Sequence, residues 1–198
     1  MVGTKEIKEP KVEDIRARAE ENRCPVQRAL FYSTKFLSGP MCGRCFPCMM
    51  GSYEAQIRLR NITEGRGGEE DVAALKRIAA DMLEASMCKK GRDTARFITE
   101  WLDEGVIHEH IQGKCFSHDC AALISYRIDP DRCTLCGICL EACTYHAIHG
   151  EKAKPFRSGY RPFEIRQKRC TKCDACRKAC PEEAIVIIDV RDGTPVIG

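Results

Sequence analysis

The chain has 198 residues, of which 43% are hydrophobic and 31% charged, and its formal net charge is +3. This length allows one domain or two small ones, and so weak a positive balance does not by itself name a polyanionic partner. Fifteen residues are cysteine, an odd number that cannot all pair as disulfides within one chain. Many of these cysteines are separated by two residues, a spacing that suits ligands wrapped around one inorganic centre.

The N-terminus is rich in Lys, Glu and Arg, and the longest apolar run of the chain is the short stretch from Ala184 to Ile188. We therefore expect no signal peptide, no transmembrane helix and no insertion into a membrane. We place the chain in the reducing cytoplasm, where closely spaced thiols are more often metal ligands than disulfides.

The first half predicts a small bundle of four or five short amphipathic helices. The first helix covers 11–22, and the second begins at Pro25 and continues past Phe36. A third covers 53–60 and ends before the glycine-rich stretch 65–68. Asp71 is the expected N-cap of a fourth helix. The apolar positions of the fourth and fifth helices are Val72, Leu75, Ile78, Ala79, Met82 and Leu83, and then Phe97, Ile98, Trp101 and Leu102.

The pattern changes near Gly113 to short β-type stretches, which alternate with cysteine runs and short helical pieces. The predicted strands are 123–128, 163–166 and 184–190. An internal repeat also begins here, because the segment from Arg132 to Ile148 recurs from Arg169 to Ile185 with nine identities at one fixed offset.

Each copy of the repeat contains C-x2-C-x2-C-x3-C, the spacing of bacterial ferredoxins, in which the fourth cysteine binds the other of two clusters. Two complete runs favour two [4Fe-4S] clusters over zinc, which needs only isolated C-x2-C pairs. The predicted ligands are Cys133, Cys136, Cys139 and Cys180 for one cluster, and Cys170, Cys173, Cys176 and Cys143 for the other. Thr144 replaces the proline expected after Cys143, and Asp174 stands where such runs often carry glycine; both departures predict altered potentials rather than a lost ligand.

A third set of cysteines lies upstream, in the loop C-G-R-C-F-P-C at 42–48, and the next cysteine is Cys88. Together these motifs resemble the C-terminal iron-sulfur region of the NADH-oxidising flavoprotein subunit of complex I and of electron-bifurcating, NAD-linked hydrogenases. The resemblance covers 22–190, because hydrogenase-type members also carry a C-x4-C pair and a two-cluster domain. It implies that a third [4Fe-4S] cluster is held in the helical bundle by Cys42, Cys45, Cys48 and Cys88. In the alternative interpretation, Cys88 is a small buried hydrophobic residue.

Three cysteines remain: Cys24, Cys115 and Cys120. With one histidine they would form a closed tetrahedral zinc site that fastens the bundle to the ferredoxin-like part. The hydrogenase-type relatives resemble this arrangement, and the resemblance favours His110 over His108 and His118 as the fourth ligand. A [2Fe-2S] centre and three free thiols are the alternatives.

The predicted fold class is α+β, with a helical [4Fe-4S] bundle followed by a ferredoxin-like domain with two [4Fe-4S] clusters. The expected divisions are an N-terminal helical extension at 1–23, the bundle at 24–112, a linker with the C-x4-C pair at 113–129, and the ferredoxin-like domain at 130–198. In the family, the FMN and NADH sites lie in a large domain before the bundle, and only a short segment precedes the bundle here. A dinucleotide fingerprint starting at Gly65 would need glycine at 70, which is Glu70. We therefore expect no FMN or NAD on this chain.

The predicted function is that of a non-catalytic electron-transfer subunit in a multisubunit, NAD(P)-linked oxidoreductase, with electron bifurcation as one possible form of the reaction. The expected partners are a flavin-containing NAD(P)-binding subunit and ferredoxin or another redox subunit. Between Lys152 and Lys178 there are ten Lys or Arg against two acids. They form either a solvated loop that balances the cluster charge or a docking face for an acidic carrier such as ferredoxin.

The alternative function is an iron-sulfur or zinc module for nucleic-acid binding or regulation, with the basic stretch as its footprint. The aromatic content of 7% is low for such a role, and the basic residues are interleaved with cluster ligands. We therefore expect no nucleic-acid partner.

Overall fold

The computed structural model describes residues 11–100, 104–154, 159–191 and 193. The chain forms two compact units, 1–120 and 121–198, and the division falls inside the segment expected to be a linker. Described residues of the first unit are mainly helical, whereas those of the second combine short strands with short helices, which confirms the α+β class. Among the described helices, none combines the length and apolar character needed to span a bilayer.

The described part of the first unit contains six helices: α1 (Val12–Glu20), α2 (Pro25–Ser38), α3 (Phe46–Thr63), α4 (Glu69–Ala85), α5 (Lys89–Glu100) and α6 (Glu104–Ile111). Each helix from α1 to α5 packs against the next one in the sequence, apart from the pairs whose order the core sets instead, and α6 contacts α2, α3 and α4. Tyr32 of α2 stacks on Phe97 of α5 with their ring centroids 4.1 Å apart. Ile15 and Phe36 are buried in the same cluster, so α1, α2 and α5 share one core.

Two of the predicted helix starts are wrong. Helix α3 begins at Phe46, well before the predicted residue 53, because Pro47 suits a first turn, where backbone N–H groups have no partner in the helix. Helix α4 begins at Glu69 after the N-cap Gly68, and Asp71 lies within its first turn. The pattern did not predict α6, and Trp101 and Leu102 lie outside the described residues.

The second unit contains β1 (Ile124–Ile128), α7 (Ile138–Ala142), β2 (Ile148–His149), β3 (Glu164–Ile165), α8 (Ala175–Ala179) and β4 (Ile185–Asp189). Strands β1 and β4 pair antiparallel, with Ile128 opposite Ile185. Strands β2 and β3 also pair antiparallel, with Ile148 opposite Ile165. The pattern did not predict β2, and the strand predicted at 163–166 is shorter than expected.

The pairing of the strands makes the two copies of the repeat intertwine. Strand β1 precedes the first cysteine run but pairs with β4, which follows the second run. Strand β3 precedes the second run but pairs with β2, which follows the first. Helices α7 and α8, one from each run, pack against each other. The end of each cysteine run is thereby carried to the beginning of the other.

Candidate metal centres

Each cysteine run of the second unit closes a cavity with help from the other run. One cavity, of about 330 Å³, is lined by the first three cysteines of the first run and the last of the second, and we call it the first-run site. The other, of about 350 Å³, has the reverse composition, and we call it the second-run site. The first-run site contains Cys133, Cys136, Cys139 and Cys180, and the second-run site contains Cys170, Cys173, Cys176 and Cys143. The structure thus brings together the same two crossed sets that the spacing predicts.

The backbone reverses at equivalent places in both runs. The φ angle is 57° at Leu135 and 59° at Lys172, and it is 80° at Gly137 and 65° at Asp174. These values lie in the left-handed region, which residues other than glycine seldom adopt. Because they recur at the offset of the repeat, we attribute them to the demands of the site, where three closely spaced cysteines line one cavity.

The last cysteine of each run accepts a backbone hydrogen bond. The N–H of Ala147 donates to Sγ of Cys143 at 3.3 Å, and the N–H of Ala184 donates to Sγ of Cys180 at 3.4 Å. Such bonds favour a thiolate over a thiol and tune the potential of iron bound to it. We did not single out these alanines from the sequence, although their identity in both copies of the repeat is a signal that could have identified them.

Buried cysteines in these sets are weak acids when no metal is bound. Burial, followed by the charge of neighbouring cysteines, raises the pKa of Cys139 and of Cys176 to about 11. Burial and then the charge of Cys45 raise the pKa of Cys48 to about 11 as well. Such thiols keep their protons at neutral pH unless a metal replaces them, because coordination deprotonates a thiol outright. The donor chemistry therefore fits iron-sulfur clusters.

The third set, which we call the bundle site, lies at the N-termini of two helices in the first unit. Cys45 is the N-cap of α3, Cys48 lies in its first turn, and Cys88 directly precedes α5. Together with Cys42, these residues line a cavity of about 240 Å³. Gly43 allows the loop to reverse, with a φ of 66°. Since helix N-termini carry partial positive charge, this position favours an anionic cluster.

A glycine on α5 allows that helix to approach the bundle site. A Cβ at Gly91 would lie 3.2 Å from Cβ of Cys48 and 2.6 Å from Oγ of Ser86. The neighbouring residue Lys90 lines the cavity, and its ammonium group donates to the carbonyl oxygen of Pro40 at 3.4 Å. Lys90 therefore places a cation beside the bundle site, and the sequence motif did not point to it.

Cys24, His110, Cys115 and Cys120 form a fourth group, which we call the four-donor site. All four are buried, and their ligand atoms lie within 4.8 Å of one another. Nε2 of His110 is 3.1 Å from Sγ of Cys24, and the Sγ atoms of Cys24 and Cys120 are 3.7 Å apart. A tetrahedral zinc site with Zn–S bonds of about 2.3 Å has sulfur–sulfur edges of about 3.8 Å. The donors and their spacing therefore fit zinc.

A second hydrogen bond fixes the orientation of the His110 ring. Its Nδ1–H donates to the carbonyl oxygen of Val106 at 2.7 Å. Because a carbonyl can only accept, the proton lies on Nδ1, and Nε2 is the atom that can bind a metal. Burial lowers the pKa of His110, but hydrogen bonds to Cys115 and Cys24 outweigh it and raise the pKa to about 10. The surrounding sulfurs thus favour positive charge at this point.

The other two candidate histidines do not join the four-donor site. His108 is exposed, and His118 is not among the grouped ligands. Asp119 supports the site and was missed from the sequence. Its Oδ2 accepts the N–H of Cys24 at 2.8 Å, and its Oδ1 pairs with Arg23 at 2.9 Å. Its position within the C-x4-C pair was the signal that could have identified it.

Comparison with known families agrees with the cysteine motifs. Residues 28–104 match the NADH-ubiquinone oxidoreductase-F iron-sulfur binding region, and residues 132–185 match a 4Fe-4S dicluster domain. These two matches confirm the resemblance predicted above, and they contain all the cysteines of the bundle site and of the two run sites. Of the four-donor site, they contain none of the three cysteines.

Three curated relatives share parts of this chain. It is 33% identical over 139 residues to the NADP-reducing hydrogenase subunit HndC of Solidesulfovibrio fructosivorans, which covers 69% of this chain and 28% of that protein. It is 34% identical over 97 residues to an NADH-quinone oxidoreductase subunit of Streptomyces coelicolor, covering 48% and 21%. It is 33% identical over 67 residues to the NADP(+)-dependent formate dehydrogenase subunit beta of Moorella thermoacetica, covering 34% and 10%. The matched segments therefore span less than a third of the length of each relative.

Proposed function

We propose that this chain, an iron-sulfur electron-transfer protein related to subunits of NAD(P)-linked hydrogenases, formate dehydrogenases and quinone oxidoreductases, connects a flavin on a partner subunit to ferredoxin or another redox subunit. Three [4Fe-4S] clusters carry the electrons, one at each of the three cysteine sets. The flavin partner binds NAD(P), and the whole complex is a multisubunit oxidoreductase, for which electron bifurcation is one form of reaction. This chain supplies no catalytic residue and binds neither FMN nor NAD.

One observation carries the proposal: in each set, four cysteines line one cavity, with both buried and exposed members. The exposed cysteines are Cys42, Cys136 and Cys173, and the buried ones are Cys45, Cys48, Cys139 and Cys176. A cluster held in this way has one edge at the surface, where an electron passes to a partner, and one side within the protein, away from water.

The residues around the cavities support this role. A [4Fe-4S] cluster supplies reversible one-electron chemistry when it is bound. Phe163 and Ile185 line the first-run site, and Ile148 and Ile165 line the second-run site, so apolar side chains limit the access of water to both. The amide groups that donate to the last cysteine of each run add partial positive charge at sulfur and stabilise the reduced state.

The basic segment 152–178 supports an acidic electron carrier as one partner. Its exposed cations are Lys152, Lys154, Arg161, Arg166, Lys168, Arg169, Arg177 and Lys178. The same segment contains the exposed Cys173, so a carrier attracted by this charge would also meet the edge of the second-run site. Lys172 differs from the rest, because its ammonium group donates to the carbonyl oxygens of Ala121 and Ile124 within the unit.

We also propose that the four-donor site holds a structural zinc ion through Cys24, His110, Cys115 and Cys120. Four protein ligands complete a tetrahedron and leave no position for a substrate, as in other structural zinc sites. Zinc at this position would tie the end of α6 and the loop 115–120 to the start of α2. Because so many thiols must stay reduced, the proposal places the chain in the cytoplasm.

The function is tested by rebuilding the electron path in steps. The chain is prepared without oxygen, and its clusters are followed by visible absorption and electron paramagnetic resonance. Dithionite is expected to reduce the clusters, whereas NADH or NADPH alone is not. Reduction by NAD(P)H is expected once the flavoprotein that co-purifies with the chain is added. Reduction of the isolated chain by NAD(P)H and free FMN, or no reduction with the co-purified flavoprotein, would contradict the proposal.

A further inference from the structure

The repeat makes the first-run and second-run sites equivalent in backbone, but one pair of positions differs in chemistry. The offset of the repeat carries Tyr126 to Phe163 and Gly137 to Asp174. Because the copies intertwine, Phe163 and Gly137 line the first-run site, whereas Tyr126 and Asp174 line the second-run site. Where the first-run site has an apolar ring and no side chain, the second-run site has a phenol and a carboxylate.

The phenol and the carboxylate contact each other directly. The hydroxyl of Tyr126 donates to Oδ1 of Asp174 at 2.9 Å. Tyr126 is only 4% exposed, and the side chain of Asp174 is 23% exposed. Burial, and after it the hydrogen bond to Asp174, raise the pKa of Tyr126, so the hydroxyl remains a donor. Together, the two side chains hold one carboxylate oxygen in a fixed position beside the cavity.

The backbone of Asp174 indicates that this carboxylate is not an ordinary surface residue. Its φ is 65°, a conformation that glycine adopts freely and that Gly137 adopts in the other run with a φ of 80°. A side chain is present here although the backbone would accommodate glycine more readily. The hydrogen bond from Tyr126 accounts for the direction in which that side chain points.

The nearby cations only partly balance the carboxylate. Nη1 of Arg177 is 3.5 Å from Oδ2 of Asp174, but the arginine side chain is 48% exposed. Such exposed pairs interact weakly because water screens them. Lys172 directs its ammonium group to backbone carbonyl oxygens. The carboxylate therefore places negative charge beside a cluster whose reduction would add one more negative charge.

We propose that Asp174, oriented by Tyr126, lowers the reduction potential of the second-run cluster and thereby makes the two clusters of the second unit inequivalent. Both are positioning residues that act on the cluster through charge and hydrogen bonding. The inference rests on the proposed cluster ligation, but it does not depend on which partner the chain serves. The physical basis is Coulomb repulsion, which is stronger in a partly buried site than in bulk water.

The test is redox potentiometry, followed by electron paramagnetic resonance, on the anaerobically prepared full chain. Asp174→Asn removes the charge and keeps the shape, and Asp174→Gly recreates the residue of the first-run site. Both are expected to move the second-run cluster to a more positive potential and leave the first-run cluster unchanged. Glu164→Gln is the matched control, because it removes an exposed negative charge in the same unit and is expected to shift neither cluster. An unchanged second-run potential in the Asp174 variants would overturn the proposal.

A further variant separates charge from structural damage. Tyr126→Phe removes the hydroxyl and keeps the carboxylate, so the second-run potential is expected to stay at or below the wild-type value. If Tyr126→Phe raises the potential as much as Asp174→Asn does, the cause is disturbance of the loop, and the proposal is wrong. Since these measurements need only the isolated chain, a failed electron path to a flavoprotein would affect the proposed function and not this result.

Discussion

Nε2 of His110 faces Sγ of Cys24 at 3.1 Å, although 86 positions separate the two residues in the chain. The histidine lies near the end of α6, and the cysteine is the N-cap of α2. Their approach, with Cys115 and Cys120 beside them, creates a buried set of donors that suits zinc.

Replacing His110 is expected to remove the zinc. Loss of a supporting residue around a zinc ligand typically weakens binding about 10–100-fold, and we expect His110→Ala, which removes a ligand itself, to weaken it at least as much. Zinc content is measured by mass spectrometry after dialysis against a chelator. His108→Ala is the control, because that exposed side chain lies outside the four-donor site. Equal zinc content in both variants would contradict the assignment.

Crossed ligation predicts reciprocal effects of two equivalent cysteines. Cys143→Ser is expected to disturb the second-run cluster more than the first-run cluster, because Cys143 lines the second-run cavity. Cys180→Ser is the matched variant and is expected to disturb the first-run cluster instead. The measurement is the electron paramagnetic resonance spectrum of each reduced cluster. If each variant mainly affects the cluster of its own run, the crossing is wrong.

The bundle site is expected to contribute one third of the iron. Three cubane clusters bring about twelve irons to the anaerobically prepared wild-type chain, and Cys88→Ser is expected to leave about eight. Met87→Ala changes the preceding exposed side chain and is expected to retain the full content. A wild-type chain that itself contains about eight irons would exclude the bundle cluster.

The first turn of α4 is expected to depend on Asp71. This buried carboxylate accepts hydrogen bonds from the N–H of Gly68 at 3.1 Å and from Nη1 of Arg58 at 3.0 Å. Asp71→Ala is expected to lower the free energy of unfolding by about 1–3 kcal/mol, because it removes both bonds. Denaturant unfolding of the holoprotein measures this loss. Asp81→Ala, at an exposed position of α4 beyond its first turn, is the control, and an equal effect of both variants would contradict the role of the cap.

The basic segment is expected to accelerate the association of an acidic ferredoxin. Reversing two exposed charges, Lys168→Glu with Arg169→Glu, is expected to lower the association rate about tenfold at low salt, because electrostatic attraction steers the encounter. The difference is expected to shrink as salt is added. Stopped-flow reduction of ferredoxin measures the rate. Arg77→Glu, on an exposed position of α4, is the control. A rate that does not depend on these charges would leave the segment as a solvated loop.

Patterns within the sequence predicted the type of each half and most of the long elements. The apolar spacing in α2, α4 and α5 identified those helices, because a buried helical face needs apolar residues at regular intervals. The start of α3 was missed because its first turns carry the cysteine loop rather than an apolar stripe. Asp71 was placed at the cap because aspartate is a common N-cap, yet Gly68 takes that position and Asp71 bonds back to it.

The sequence by itself determined which side chains can bind metal, since cysteine spacing within a run reflects contacts made over a few residues. The tertiary structure decided which distant groups meet. The antiparallel pairing of β1 with β4 and of β2 with β3 intertwines the two copies, and Tyr126 lines the second-run site beside Asp174. The packing of α6 against α2 likewise accompanies the approach of His110 to Cys24. The physical reason is that local periodicity encodes the buried face of an element, whereas the partner of that face depends on the packing of the whole chain.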